Sequence, residues 1–250
     1  MFNQIKTTLQ YVFFALLFTA SSFFISHSAL KYAAVSIVSD SVSSPASVVS
    51  PAVQVVIDPG HGGEDGGASS GSILEKDLNL AVSENLTDVF TVFGYSVLPT
   101  RTGDTLLYDY YDDLEDYTGK KKTFDLRNRL RIAEESDAEL FLGIHINKFS
   151  QPKYKGLQVY YSPNTDAGRT AAETIQSRAK TYLDPDNDRA IKSAGSDIYI
   201  LSRIRIPAVL VECGFISNPD DLAALTTPEY RQKLSCVIFS SAAEFLVSRK

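Results

Sequence analysis

The sequence predicts a single α/β domain, a twisted and mainly parallel sheet with helices on both faces. Three observations predict it. Short β-branched runs alternate along the chain with stretches whose apolar residues recur every three or four positions, which is the order of β-α units. The first such run ends in a glycine-rich turn, as a buried strand feeding a helix does. A composition 44% hydrophobic and 22% charged is that of a globular chain, not of a disordered, collagenous or polytopic membrane sequence, and 250 residues suit one domain with a full core. The 24 Lys and Arg against 30 Asp and Glu leave a net charge of −6, the wrong sign for a protein that neutralises nucleic-acid phosphates.

Residues 1–38 stand apart from that domain. A single Lys6 precedes an uncharged apolar run over 7–25, the pattern of an export signal that is either cleaved or retained as an N-terminal membrane anchor. Residues 39–52 hold six serines and two prolines, which is linker composition, so the folded domain is placed at 53–250.

The elements follow in order. Residues 53–58 read as a buried strand closed by Pro59-Gly-His-Gly-Gly63. Leu78, Val82, Leu86, Val89 and Phe93 keep a helical period until Gly94 supplies the stop. A second strand is read at 95–100, a helix capped by Asp125, and strands at 138–147 and 156–162. A helix at 170–183, strands at 197–201 and 206–213, and a closing helix at 228–248 complete the pattern. Residues 104–122 fit no period: six acids and four tyrosines precede Lys120-Lys-Lys122, so they read either as a solvated insertion or as a lid or docking surface.

In an open α/β sheet, ligands gather at the carboxyl ends of the strands. His61, His145 and Glu212 fall there by this reading, and the two histidines are the only ones outside the apolar leader. Two imidazoles point toward a metal site, though a lone histidine is as readily structural. Catalytic zinc takes a third protein ligand, and Glu75, at the mouth of the first helix, is placed to supply it; a carboxylate at a helix N-terminus also has the helix dipole as sufficient reason. No HExxH is present. Cys213 follows Glu212 on the same strand and so faces the other way, into packing; Cys213 and Cys236 read as buried apolar residues or, less economically, as a pair.

Ile57-Asp-Pro-Gly-His-Gly-Gly-Glu-Asp-Gly-Gly-Ala68, Leu74-Glu-Lys-Asp-Leu-Asn79, Thr100-Arg101, Asp125-Leu-Arg-Asn-Arg129, Ile144-His-Ile-Asn147 and Val211-Glu-Cys-Gly-Phe-Ile-Ser-Asn-Pro219 together resemble the zinc-dependent N-acetylmuramoyl-L-alanine amidases of the amidase_3 type. The resemblance covers the whole domain and, within the family, runs most toward the spore-cortex enzymes that strip peptides before muramic δ-lactam is made. It implies one Zn2+ per chain held by His61, Glu75 and His145, with Glu212 as the catalytic carboxylate. Asn147 and Arg101 fall at positions implied to orient substrate, and Arg127 or Arg129 would clamp a peptide carboxylate, unless both are surface ion-pair formers. The chain departs from the family pattern at Gly143-Ile144 before His145 and at Lys148 after Asn147.

The implied partner is peptidoglycan, met outside the cytoplasm at the membrane or in the wall, or between forespore and mother cell if the role is sporulation. Two other functions remain to be weighed: a catalytically silent wall-binding scaffold, and a vegetative cell-separation amidase. With a net negative charge and no wall-binding repeat, placement at the substrate falls to the apolar segment or to an accessory protein docked on 104–122.

Overall fold

The computed structural model describes residues 52–112 and 116–249, so the leader and nearly all of the Ser/Pro-rich segment lie outside the described residues. A six-stranded sheet runs in the order β4-β1-β5-β8-β6-β7. Its members are β1 (Val55–Pro59), β4 (Val97–Pro99), β5 (Leu140–Asn147), β6 (Gln158–Tyr161), β7 (Lys192–Ser193) and β8 (Ala208–Phe215). All neighbours are parallel except β6 and β8, which run antiparallel. A two-stranded hairpin of β2 (Ser69–Ser70) and β3 (Ile73–Leu74) leads into the first helix.

Helices cover both faces, as expected. On one face α1 (Glu75–Val92), α3 (Asp166–Tyr182) and α5 (Pro228–Ser248) pack over Val55, Ile57, Leu142, Ile144, Ile146, Val209 and Val211. On the other, α2 (Lys121–Glu135) and the segment 198–204 pack over Val56, Phe141 and Ala208. Side chains on a strand alternate between faces. In β5 the even positions Leu140, Leu142, Ile144 and Ile146 therefore enter the larger core, and His145 is left on the α2 side, where the register sets it opposite Glu212. The same alternation sends Cys213, 1% exposed, into the larger core. Both cysteines are free thiols, so the pairing alternative is not realised.

Three expectations are corrected. Residues 197–201 form turns, not a strand: Ser202 N–H donates to Ile198 O and Ile204 N–H to Ile200 O. Ile198, Ile200, Leu201 and Ile204 reach the second core through that coiling, a case in which a short apolar run does not by itself select strand over turn. Asp125 is not a helix cap. It lies inside α2, buried, accepting from Leu107 N–H at 2.7 Å and pairing with Arg129 one turn later. The helix read from 170 begins at Asp166, where Thr165 Oγ1 accepts from Gly168 N–H. One helix was not anticipated: α4 (Pro219–Leu225), with Asn218 as N-cap and proline in its first turn.

The insertion at 104–122 is more than a solvated excursion. Leu106 and Leu107 are buried, Tyr111 OH donates to Glu135 at 2.9 Å, and Asp104 braces the glycine loop through Gly63 N–H at 2.7 Å and Lys76 Nζ at 2.7 Å.

Candidate metal centre

β1 delivers the chain into the glycine loop, α1 begins at Glu75, and β5 carries His145 to its carboxyl end; the three meet at the rim of the sheet. Glu75 Oε1 lies 3.3 Å from His61 Nε2 and 3.1 Å from His145 Nδ1, and one ligand atom from each residue falls within 4.8 Å of the others. Ligands about 2.0–2.1 Å from one tetrahedral zinc are about 3.3 Å apart, and the two separations from Glu75 to the imidazoles match that spacing.

Two of the three donors are oriented by further contacts. His61 Nδ1 faces Asp65 Oδ2 at 2.9 Å, which directs Nε2 toward Glu75. Glu75, 4% exposed, accepts from Ala68 N–H at 2.8 Å through Oε2, and from Ile146 N–H at 3.2 Å and Asn79 Nδ2 at 3.3 Å through Oε1. Burial alone would raise its pKa; hydrogen bonds to His145 and His61 prevail and hold the carboxyl far below the usual range, so it is a carboxylate.

The glycines of the loop are demanded by close approach. A β-carbon at Gly60 would sit 2.2 Å from His145 Cε1, and one at Gly67 would sit 2.6 Å from Glu75 Oε2 and 2.8 Å from His61 Cδ2. His61 itself takes φ 63°, the left-handed region a residue with a β-carbon seldom occupies.

Glu212 pairs with His145 across β5 and β8 and so lies beside the centre on the same face. Its Oε2 is enclosed and has no hydrogen-bond partner among the described residues. Burial pushes its carboxyl up to about 7, which suits a group that must both take and give a proton near neutrality. Asn147, half-exposed, follows two residues beyond His145, past a shift in the β5–β8 register.

The arginines divide in a way the sequence does not reveal. Arg127 is exposed and stacks on Phe124 at 4.9 Å, beside a shallow cavity of about 280 Å³ bounded by Arg131 and Tyr199. Arg129, expected to be either a clamp or a surface ion-pair former, is 1% exposed and bound to Asp58 and Asp125. Arg101, expected to orient substrate, spends four N–H groups on the carbonyls of Pro59, Gly60, Lys76 and Gly103, which leaves no free fork for a ligand. Asp65 and Asn79 went unnoticed in the sequence; an acid four residues after His61 within a glycine loop, and a polar residue one turn after Glu75, were the available signals.

A protein-family model described as Amidase_3, N-acetylmuramoyl-L-alanine amidase, matches residues 55–243. The chain belongs to this amidase family. The germination-specific N-acetylmuramoyl-L-alanine amidase of Bacillus subtilis is 32% identical over 195 residues, 78% of this amidase and 80% of the relative. The sporulation-specific amidase of the same organism is 31% identical over 186 residues, 73% of this chain and 64% of that one. Among solved structures, the CwlD amidase of Clostridioides difficile, in complex with the GerS lipoprotein, superposes with a TM-score of 0.72 at 35% identity and covers 78% of this amidase and 99% of that chain. AmiC2 of Nostoc punctiforme gives 0.65 at 29% identity over 79% and 99%. Peptidoglycan is thus the substrate class of this amidase, and its relatives act on cell walls and in sporulation.

Proposed function

We propose that this amidase uses one zinc ion, held by His61, Glu75 and His145, to hydrolyse the amide between N-acetylmuramic acid and L-alanine during spore cortex maturation. The observation that carries the reading is the meeting of those three donors, with His61 and Glu75 held by orienting contacts, beside the partnerless carboxylate oxygen of Glu212. When bound, zinc polarises the amide carbonyl and makes water acidic enough to attack near neutral pH. Glu212 would take a proton from the attacking water as the water oxygen bonds to the carbonyl carbon. It returns the proton to the alanine nitrogen as the C–N bond breaks, leaving a lactyl carboxylic acid and an amine that end as carboxylate and ammonium at neutral pH. Asn147 orients the amide at the carboxyl end of β5, and Arg127 offers an exposed guanidinium to a stem-peptide carboxylate.

The sporulation role is supported by likeness to the germination- and sporulation-specific relatives, whose work would be to strip muramic acid ahead of δ-lactam formation. Placement outside the cytoplasm, by an export signal or an uncleaved membrane anchor over 1–38, follows from the same role. Among the described residues no helix is long and apolar enough to cross a membrane. The relative solved with the GerS lipoprotein supports an accessory protein for this chain too, docked on the insertion at 104–122, where Tyr110 is 54% exposed. A silent scaffold would have no use for the full set of donors and Glu212 together.

Zinc-loaded protein incubated with purified peptidoglycan should release stem peptides with new L-alanine amino termini, and chelation should stop the release. No release at full zinc occupancy would refute the hydrolase. Mass spectrometry of muropeptides from spores lacking the protein should show muramic δ-lactam gone; spores with a normal cortex and vegetative cells in chains would shift the role to cell separation.

A further inference from the structure

Two buried guanidinium groups lie beneath the loop that carries His61, and between them they hold three consecutive carbonyl oxygens of it. Arg129 donates from Nη1 to Pro59 O at 2.7 Å and from Nη2 to His61 O at 2.6 Å. Arg101 donates from Nε to Pro59 O at 3.0 Å and from Nη2 to Gly60 O at 3.0 Å. The cations are offset by carboxylates: Asp58 Oδ1 meets Arg129 Nη1 at 2.6 Å and Asp125 Oδ2 meets its Nε at 2.8 Å, while Thr100 Oγ1 donates to Asp58 at 2.5 Å.

Buried ionic clusters of this kind are weak contributors to stability, and well-packed apolar side chains of similar volume often do as well or better. What apolar side chains cannot do is turn peptide planes. Here the turned planes are those of 59–61, and the residue at their end is His61, in the left-handed conformation at φ 63°. Its Nδ1 is taken by Asp65, so the direction of Nε2 is decided by the backbone from below and by Asp65 from the side.

We infer that Arg129, with Arg101 beside it, is the positioning residue of the metal centre: it sets the backbone of 59–61 so that His61 Nε2 points to the place shared with Glu75 and His145. The inference rests on the reading that these three residues hold zinc. Neither arginine touches substrate in this role. Lysine cannot replace Arg129, because one ammonium nitrogen cannot span the Pro59 and His61 carbonyls and still face both Asp58 and Asp125.

The test is zinc affinity of the full chain, measured by competition with a chelating indicator, alongside the melting temperature of the metal-free protein. Wild type sets the reference, and His61→Ala shows what loss of a ligand looks like. In Arg129→Lys, zinc binding should weaken about 10- to 100-fold, the range seen when contacts behind metal ligands are removed. Arg131→Lys, on the exposed side of the same helix, should bind zinc as wild type does. Arg101→Lys and Thr100→Val should shift affinity in the same direction by less, and they carry the test if Arg129→Lys does not fold. A role in folding alone would lower the melting temperature of the metal-free variants and leave the zinc affinity of folded protein untouched, and that result overturns the inference. A wild type that binds zinc no better than His61→Ala overturns the metal reading instead.

Discussion

Gly60 is a residue at which one added methyl group should disable the protein without unfolding it. Its missing β-carbon is the space that the His145 ring fills, with 2.2 Å to the nearest ring atom. Gly60→Ala must therefore displace His145 or the loop, and zinc retained after dialysis should fall at least about tenfold in line with other disturbances of ligand orientation, as metal analysis would measure. Glu212 makes the opposite case. It does not belong to the donor set, so Glu212→Gln should keep its zinc while peptide release drops by about 10²- to 10⁴-fold, the usual contribution of a general acid-base group. A variant that keeps full activity would remove Glu212 from the mechanism. At this scale the histidines and Glu212 were legible because each stands at the end of an apolar run. Asp65 was not, because its role depends on a turn that brings it back to the residue four places earlier.

The elements that carry these residues are joined by caps and short hydrogen bonds outside the main core. Asn218 is the fullest example: its Oδ1 accepts from Asp220 and Asp221 N–H, both at 3.0 Å, and its Nδ2 donates to Pro152 O at 2.7 Å. One side chain thus starts α4 and ties the loop after β5 to the loop after β8. Asn218→Ala should cost about 1–2 kcal/mol in urea unfolding, the upper part of the range for a lost N-cap, because the tie to Pro152 goes with it. The Asn-Pro-Asp-Asp run is an N-cap followed by proline and a first turn of acids, so α4 could have been read. The strand expected at 197–201 could not have been corrected from composition, since Ile198, Ile200 and Leu201 are as apolar in coiled turns as they would be in a strand. Bounds were least legible where a polar cap lies ahead of the apolar period, as at Thr165.

Over the whole molecule, the ionic cluster under the glycine loop couples folding to pH. Burial alone would raise the Asp58 carboxyl; the charge of Arg129 and the hydrogen bonds from Thr100 and Arg129 outweigh it and hold the group below its ordinary 3.8. A depressed carboxylate contributes stability that is present above the unfolded pKa and lost as pH falls through the folded one. Asp58→Asn, studied with chelator present so that metal release adds nothing, should be less stable at pH 7 by on the order of 3 kcal/mol. That difference should narrow as the pH drops below about 4; a gap that stays constant from pH 7 to pH 2 would show that the charge of Asp58 is not what matters. The sequence by itself determined the strand-helix alternation, the glycine loop and the residue types of the centre, because periodicity and local turn chemistry are properties of neighbours along the chain. Only the tertiary structure decided that Arg101 and Arg129 lie under the loop, that Asp125 is a buried partner rather than a cap, and that Arg127 faces outward. An arginine carries the same charge and length in any position, and what it binds depends on which carbonyls and carboxylates, tens of residues away, the sheet brings within reach.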